Sequence, residues 1–179
     1  AKLMSLMGCP ICDGTGWKYV DRDGVRRVTR CDCWRDRLAV RLLDEARIPR
    51  RYQHCDFSNF RGYNESLTRA AARALKLTEA FPVVERGLFF EGPPGVGKTH
   101  LAVAVLRRVV ATRGAQALFY DTRDLLRIIR ATYDPVSRTT ETEVLRPVMQ
   151  CDLLVLDDLG AEKTSEWVEE TLNLIVNTR

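Results

Sequence analysis

Leu88-Phe89-Phe90-Glu91-Gly92-Pro93-Pro94-Gly95-Val96-Gly97-Lys98-Thr99 is the stretch on which the fold turns. From Gly92 onward it fits G-x-x-x-x-G-K-[ST], the P-loop pattern. The apolar run before it reads as a short strand, and Leu101 to Leu106 after it reads as an apolar helix. Strand, glycine-rich turn and helix make up the setting in which that pattern has a physical meaning. Glycines leave room for the backbone N–H groups of Gly95 to Lys98 to wrap a β-phosphate. The N-terminus of the following helix adds its dipole. Lys98 can bridge the β- and γ-phosphates, and Thr99 can ligate Mg²⁺. Pro93 and Pro94 stiffen the loop. The expected ATP-binding set is Gly92, Pro93, Pro94, Gly95, Val96, Gly97, Lys98, Thr99 and His100.

Working outward, Ala117 to Asp121 reads as a second strand and Thr122 to Ala131 as a helix with Leu125, Leu126, Ile128 and Ile129 apolar. Thr140 with Glu143 reads as a capping box for a helix reaching Met149. Asp152-Leu-Leu-Val-Leu156-Asp157-Asp158 is a buried strand ending in two carboxylates, the Walker B arrangement. Where such strands run parallel, ligands bind at their carboxyl ends. Asp157 is expected to hold the Mg²⁺ shell. Asp158 is expected to orient or deprotonate the attacking water, because phosphoryl transfer needs positioning more than covalent help. Lys98 and Asp158 are thus the expected catalytic pair. Upstream, Glu65 to Ala80 has helical spacing of Leu67, Ala71, Ala74 and Leu75 after Asn64 as cap, and Glu166 to Val176 forms a helix behind Ser165.

The N-terminal third has another character. Four of the six cysteines stand as Cys9-Pro-Ile-Cys12 and Cys31-Asp-Cys33, with eighteen residues between the pairs. Two thiol pairs at this separation suit a tetrahedral Zn²⁺ site. Asp23-Gly24 reads as a hairpin turn between Trp17–Val20 and Val25–Arg30. The expected module is a zinc ribbon, with Cys9, Cys12, Cys31 and Cys33 as ligands and His54 or Cys55 as a substitute. The competing reading is four buried or reactive thiols. Cys55 and Cys151 read as structural. Residues 34–46 form a short amphipathic helix ending at Ile48-Pro49. The expected organisation is 1–47 zinc ribbon and short helix, 48–63 linker, and 64–179 ATPase core. Trp17, Tyr19 and Trp34 lie among arginines, a mixture that serves either as the small core of a ribbon or as a stacking surface for single-stranded bases.

The 179 residues are 45% hydrophobic and 29% charged, which excludes disordered and fibrous chains. No apolar run is long enough to span a membrane, and no signal-peptide core precedes Cys9. The first residues read as a remnant outside the fold, and the expected location is cytoplasmic. Net charge is +4, with 12 basic against 7 acidic residues in 1–55 and 16 against 17 in the remainder. Arginine makes up 23 of the 28 basic residues, which suits an anionic partner. A solvated arginine-rich surface fits the same composition.

Taken together these motifs resemble the DnaC/IstB-like branch of the AAA+ ATPases, and within it the bacterial replicative-helicase loaders. The carriers are Ile48-Pro49-Arg50-Arg51-Tyr52, Phe57 with Phe60, Gly92 to Ala102, and Leu153 to Gly160. The resemblance implies an α/β fold of P-loop type, a five-stranded parallel sheet in order 5-1-4-3-2 with helices on both faces. It implies an ATP-dependent switch with ATP and Mg²⁺, which helps place a ring helicase on single-stranded DNA and is oligomeric when complete. Several loaders carry an N-terminal zinc module that contacts the helicase, which adds Zn²⁺. IstB-like transposition helpers share the motifs, and a zinc-dependent interaction module with a vestigial ATPase is a third reading. Asp158 stands where most AAA+ proteins carry Glu, so slow hydrolysis is expected. Strand 4, strand 5, both sensors, the arginine finger and the lid lie beyond Arg179. The expectation is therefore a sheet incomplete at its C-terminal side, a chain cut from a longer protein or completed by another, and impaired hydrolysis.

Overall fold

The computed structural model describes residues 9–161 and 163–178. The reading of residues 1–8 as a remnant lies outside the described residues. The chain divides into two compact units, with the boundary between Arg41 and Leu42.

In the first unit, strands β1 (Trp17–Arg22) and β2 (Val25–Arg30) pair antiparallel, Trp17 opposite Arg30 through Arg22 opposite Val25. Asp23 and Gly24 both take positive φ, 54° and 75°, as a two-residue hairpin turn of this hand requires. Helix α1 (Cys33–Glu45) starts on the second thiol pair.

In the second unit, strands β3 (Ala117–Asp121) and β4 (Leu153–Asp157) pair in parallel, Ala117 opposite Leu153 and Asp121 opposite Asp157. Helices α2 (Glu65–Ala80) and α3 (Lys98–Arg113) lie on one face of this ladder, in a core of Ala74, Phe81, Val105 and Val109 joined by Leu153. Helices α4 (Thr122–Ala131), α5 (Glu141–Gln150) and α6 (Glu166–Asn177) contribute to the core on the other face, where Leu125, Ile129, Val148 and Ile175 pack on Tyr120, Leu154 and Leu156. Alternate strand residues thus serve opposite cores, as the twofold period of a strand dictates. Helix α3 is apolar all round its middle turns, with Leu101, Val103, Ala104, Leu106, Val109 and Val110 all buried, so this part runs through the interior. The expected caps form: Asn64 accepts from Leu67 N–H, Ser165 from Val168 N–H, and Thr140 and Glu143 close a capping box.

Two expectations need correction. Leu88–Glu91 is not a hydrogen-bonded strand. It joins no ladder among the described residues, and a groove of about 510 Å³ separates Leu88, Phe89 and Phe90 from the edge of β4. An apolar run becomes a strand only where a neighbour accepts its N–H groups; the implied order sets strand 4 between these two segments. Residues 48–63 do not behave as a linker either. Arg50–Tyr52 and Phe57–Asn59 form 3₁₀ turns within the second unit. Phe119 N–H donates to Ala46 O at 2.8 Å, and Arg107 donates to Gln53 O, tying this stretch to β3 and α3. No helix among the described residues is long and apolar enough to cross a membrane.

Candidate functional site

Helix α3 begins at Lys98 directly after Gly97, whose φ of 96° is open to glycine and strained for other residues. Sterics demand glycine there as well: a Cβ on Gly97 would stand 2.8 Å from the Phe60 ring. Phe60 also packs on the His100 ring at 5.4 Å between centroids, and His100 Nε2 lies 2.9 Å from Asp56 O. Residues 56–60 therefore brace the P-loop from outside it. The motif pattern carries no signal for this brace; only the aromatics Phe57 and Phe60 hint at it. His100, expected among the ATP-binding residues, is engaged by the brace.

Within the loop, Lys98 Nζ donates to Gly92 O at 2.8 Å and to Pro93 O at 2.9 Å. The ammonium sits over the loop's own carbonyls, and its donors are free to turn to phosphate oxygens when these arrive. One residue on, Thr99 Oγ1 lies 3.0 Å from both carboxylate oxygens of Asp157. The parallel register delivers Asp157 to this place at the carboxyl end of β4. Thr122 Oγ1 donates to Asp157 O at 2.9 Å and fixes the strand end.

Asp157 is half-buried, and burial pushes its carboxyl above the ordinary carboxylate value. The Thr99 hydroxyl opposes that shift, and the charges of Asp158 and Asp121 add to it. A carboxylate held in this way gains from a cation, which suits it for the Mg²⁺ role with Thr99. Asp158 takes φ 54° and is more than half exposed. That left-handed φ, which Asp tolerates better than most residues, falls directly after the end of β4. Arg123 Nη2 stands 3.7 Å from Asp158 and 3.4 Å from Asp121. Sequence reasoning missed Arg123. Asp121 itself caps α4 by accepting from Arg123 and Asp124 N–H, and these bonds with Arg123 outweigh its burial and hold its carboxyl low.

In the first unit, the Sγ atoms of Cys9, Cys12, Cys31 and Cys33 all lie within 4.8 Å of one another. Cys9 and Cys31 are 3.7 Å apart and Cys12 and Cys33 3.5 Å. Four thiolates around Zn²⁺ at about 2.3 Å place their sulfurs about 3.8 Å apart, so the donor set fits the ion. Backbone turns shape both knuckles: Cys12 and Asp13 N–H donate to Cys9 O, and Trp34 N–H donates to Cys31 O. Arg37 donates to Cys33 Sγ at 3.2 Å and to Gly14 O at 3.2 Å, joining the two knuckles. Burial resists ionisation of Cys12, yet the Gly16 N–H and the neighbouring thiols outweigh it and hold its pKa at about 6. Arg37 favours the Cys33 thiolate, but burial and the other cysteines push it up to about 12. Cys12 thus ionises at the expense of Cys33 across their 3.5 Å contact. The remaining cysteines, Cys55 and Cys151, are buried and belong to the second unit.

Comparison with known proteins agrees with this architecture. The chain is 30% identical over 139 residues to the replicative helicase loader DnaC of Escherichia coli strain K12, covering 78% of this chain and 56% of that protein. It is 28% identical over 139 residues to DnaC of Buchnera aphidicola subsp. Schizaphis graminum, with the same coverage. The chain thus spans little more than half the length of these curated relatives. A crystal structure of the DnaC helicase loader matches with a TM-score of 0.66 at 36% identity, covering 73% of each chain. A solved structure from Streptococcus pyogenes serotype M3 matches with a TM-score of 0.63 at 24% identity over 77% of this chain and 72% of that one, a likeness of fold. The family model of the IstB-like ATP binding proteins matches residues 26–178, the whole described second unit and part of the first, and the chain belongs to that family.

Proposed function

We propose that this chain is the ATP-dependent switch of a replicative-helicase loader, acting on a ring helicase in DNA replication. The observation that carries the reading is the meeting of Thr99 and Asp157 beside the P-loop, in a chain related to DnaC along most of its length. Gly92, Pro93, Pro94, Gly95, Val96, Gly97, Lys98 and Thr99 take the triphosphate. Thr99 and Asp157 hold Mg²⁺, which supplies charge neutralisation of the phosphates when bound. Lys98 moves from the Gly92 and Pro93 carbonyls to the phosphate oxygens, and Asp158 holds the water for a slow ATPase step. Cys9, Cys12, Cys31 and Cys33 bind structural Zn²⁺ in the N-terminal module.

The test is loading itself. The cognate ring helicase is mixed with this chain, ATP and a circular single-stranded DNA, and helicase retained on the DNA is measured. Wild type raises retention, and Lys98→Ala does not. Retention that is equal with Lys98→Ala, or equal without the chain, overturns the reading. Stimulation of a transposase with no effect on the helicase transfers it to the transposition helpers.

A further inference from the structure

One face of the β1–β2 hairpin takes no part in holding the thiols together. Pairing places Trp17 opposite Arg30, Tyr19 opposite Val28 and Asp21 opposite Arg26, so these six side chains share a face. The opposite face carries Lys18, Val20 and Thr29, which are partly covered, and Lys18 is ion-paired to Asp32. On the first face Trp17, Tyr19 and Val28 are 52%, 67% and 58% exposed. Aromatics that formed the small core of the ribbon would be buried; these look into solvent. The Arg26 guanidinium lies 4.2 Å from the Tyr19 ring centroid, and that of Arg30 lies 5.6 Å from Trp17 and 5.1 Å from Trp34. Among the described residues, none of Arg26, Arg27 and Arg30 has an ion-pair partner. A guanidinium stacked on a ring keeps its in-plane N–H donors available for a phosphate.

We infer that this hairpin face binds single-stranded nucleic acid, with bases stacked on Trp17 and Tyr19 and the backbone phosphates held by Arg26 and Arg30. Same-face neighbours on a strand stand about 6.8 Å apart. That is about twice the 3.4 Å rise of stacked bases, a spacing that suits an extended single strand and rejects a duplex. Stacking platforms with interleaved cations bind single strands with little regard to sequence, because every base offers a π-face. An acidic protein segment would satisfy the arginines but leave the two flat rings without partners of their shape. Asp21 is the one acid among the six and lies at the turn end of the face, away from Trp17 and Arg30. The surface shares no residue with the P-loop, so its binding needs no ATP.

The experiment uses the full chain, loaded with zinc, and a fluorescein-labelled oligothymidylate read by anisotropy without nucleotide. Wild type binds, and oligothymidylate quenches its tryptophan fluorescence. The pair Trp17→Ala with Tyr19→Ala weakens binding by about tenfold or more. The pair Arg26→Gln with Arg30→Gln, which leaves the rings in place, lowers the slope of log affinity against log salt by about 1.4. Zinc per chain is measured for each variant; should the alanine pair lose metal, the arginine pair decides the outcome. No binding by wild type overturns the inference. So do metal-replete variants with unchanged affinity and salt slope. Variants that bind oligothymidylate normally but lose capture of a ring helicase assign the face to protein docking and overturn it as well.

Discussion

Thr99 Oγ1 donates into the carboxylate of Asp157, 3.0 Å from each oxygen, although the two lie 58 positions apart in the chain. The hydroxyl and the carboxylate that we propose as Mg²⁺ ligands thus lie within direct reach of each other. The contact also fixes what each substitution should do.

Asp157→Asn and Asp158→Asn are expected to separate binding from hydrolysis. The first removes the buried charge that Mg²⁺ would meet, and Mg²⁺-dependent ATP affinity falls by about tenfold or more. The second leaves affinity within about twofold and lowers turnover by about a hundredfold. Fluorescent-nucleotide titration and phosphate release measure the two. Equal loss of affinity in both variants would refute the division of roles.

Acid should favour the nucleotide-free fold through Asp157. Burial raises its folded-state pKa, so between the ordinary carboxylate value and that raised value the folded chain holds more proton than the unfolded one. Stability from this group is therefore lost as pH climbs through that window and is not regained above it. Without nucleotide, Asp157→Asn should melt higher than wild type at neutral pH. With MgATP the order reverses, because only wild type gains from the ligand. Differential scanning fluorimetry with and without MgATP reads both signs.

Gly97→Ala is expected to cost about 1–3 kcal/mol from the positive φ alone, with the Phe60 clash in addition. Phe60→Leu in the same chain should return part of that loss by removing the ring edge. Chemical denaturation of the single and double variants measures the coupling. Strictly additive effects would show that Phe60 does not brace Gly97.

Cys31→Ser is expected to abolish tight zinc binding, measured by metal analysis after dialysis against a weak chelator. Arg37→Gln should keep the metal yet release it faster to a chromogenic chelator, since Arg37 bonds to Cys33 Sγ and Gly14 O and such outer contacts hold ligands in place. Unchanged zinc content in Cys31→Ser would return the four cysteines to the reading of buried thiols.

The elements legible in the sequence are those with local chemistry. The P-loop, the acid pair, the thiol pairs, the hairpin turn and the three caps each declare themselves within a few residues, because backbone demands there are met by neighbours in sequence. Leu88–Glu91 has the right residues for a strand and lacks a partner, a fact that no local pattern contains. The brace of Phe60 on Gly97, the Arg123–Asp158 pair and the docking of residues 46–60 on β3 and α3 depend on contacts between distant segments. Their only sign is composition: aromatics and arginines in a stretch that lacks helical or strand period.

The groove beside β4 has a consequence for assembly of the sheet. Among the described residues β4 pairs with β3 alone, and Phe89 across the groove is 74% exposed. Unpaired amides on a strand take up an extended segment that reaches them, so this groove, walled on its other side by Leu88, Phe89 and Phe90, is where an added strand would complete the sheet.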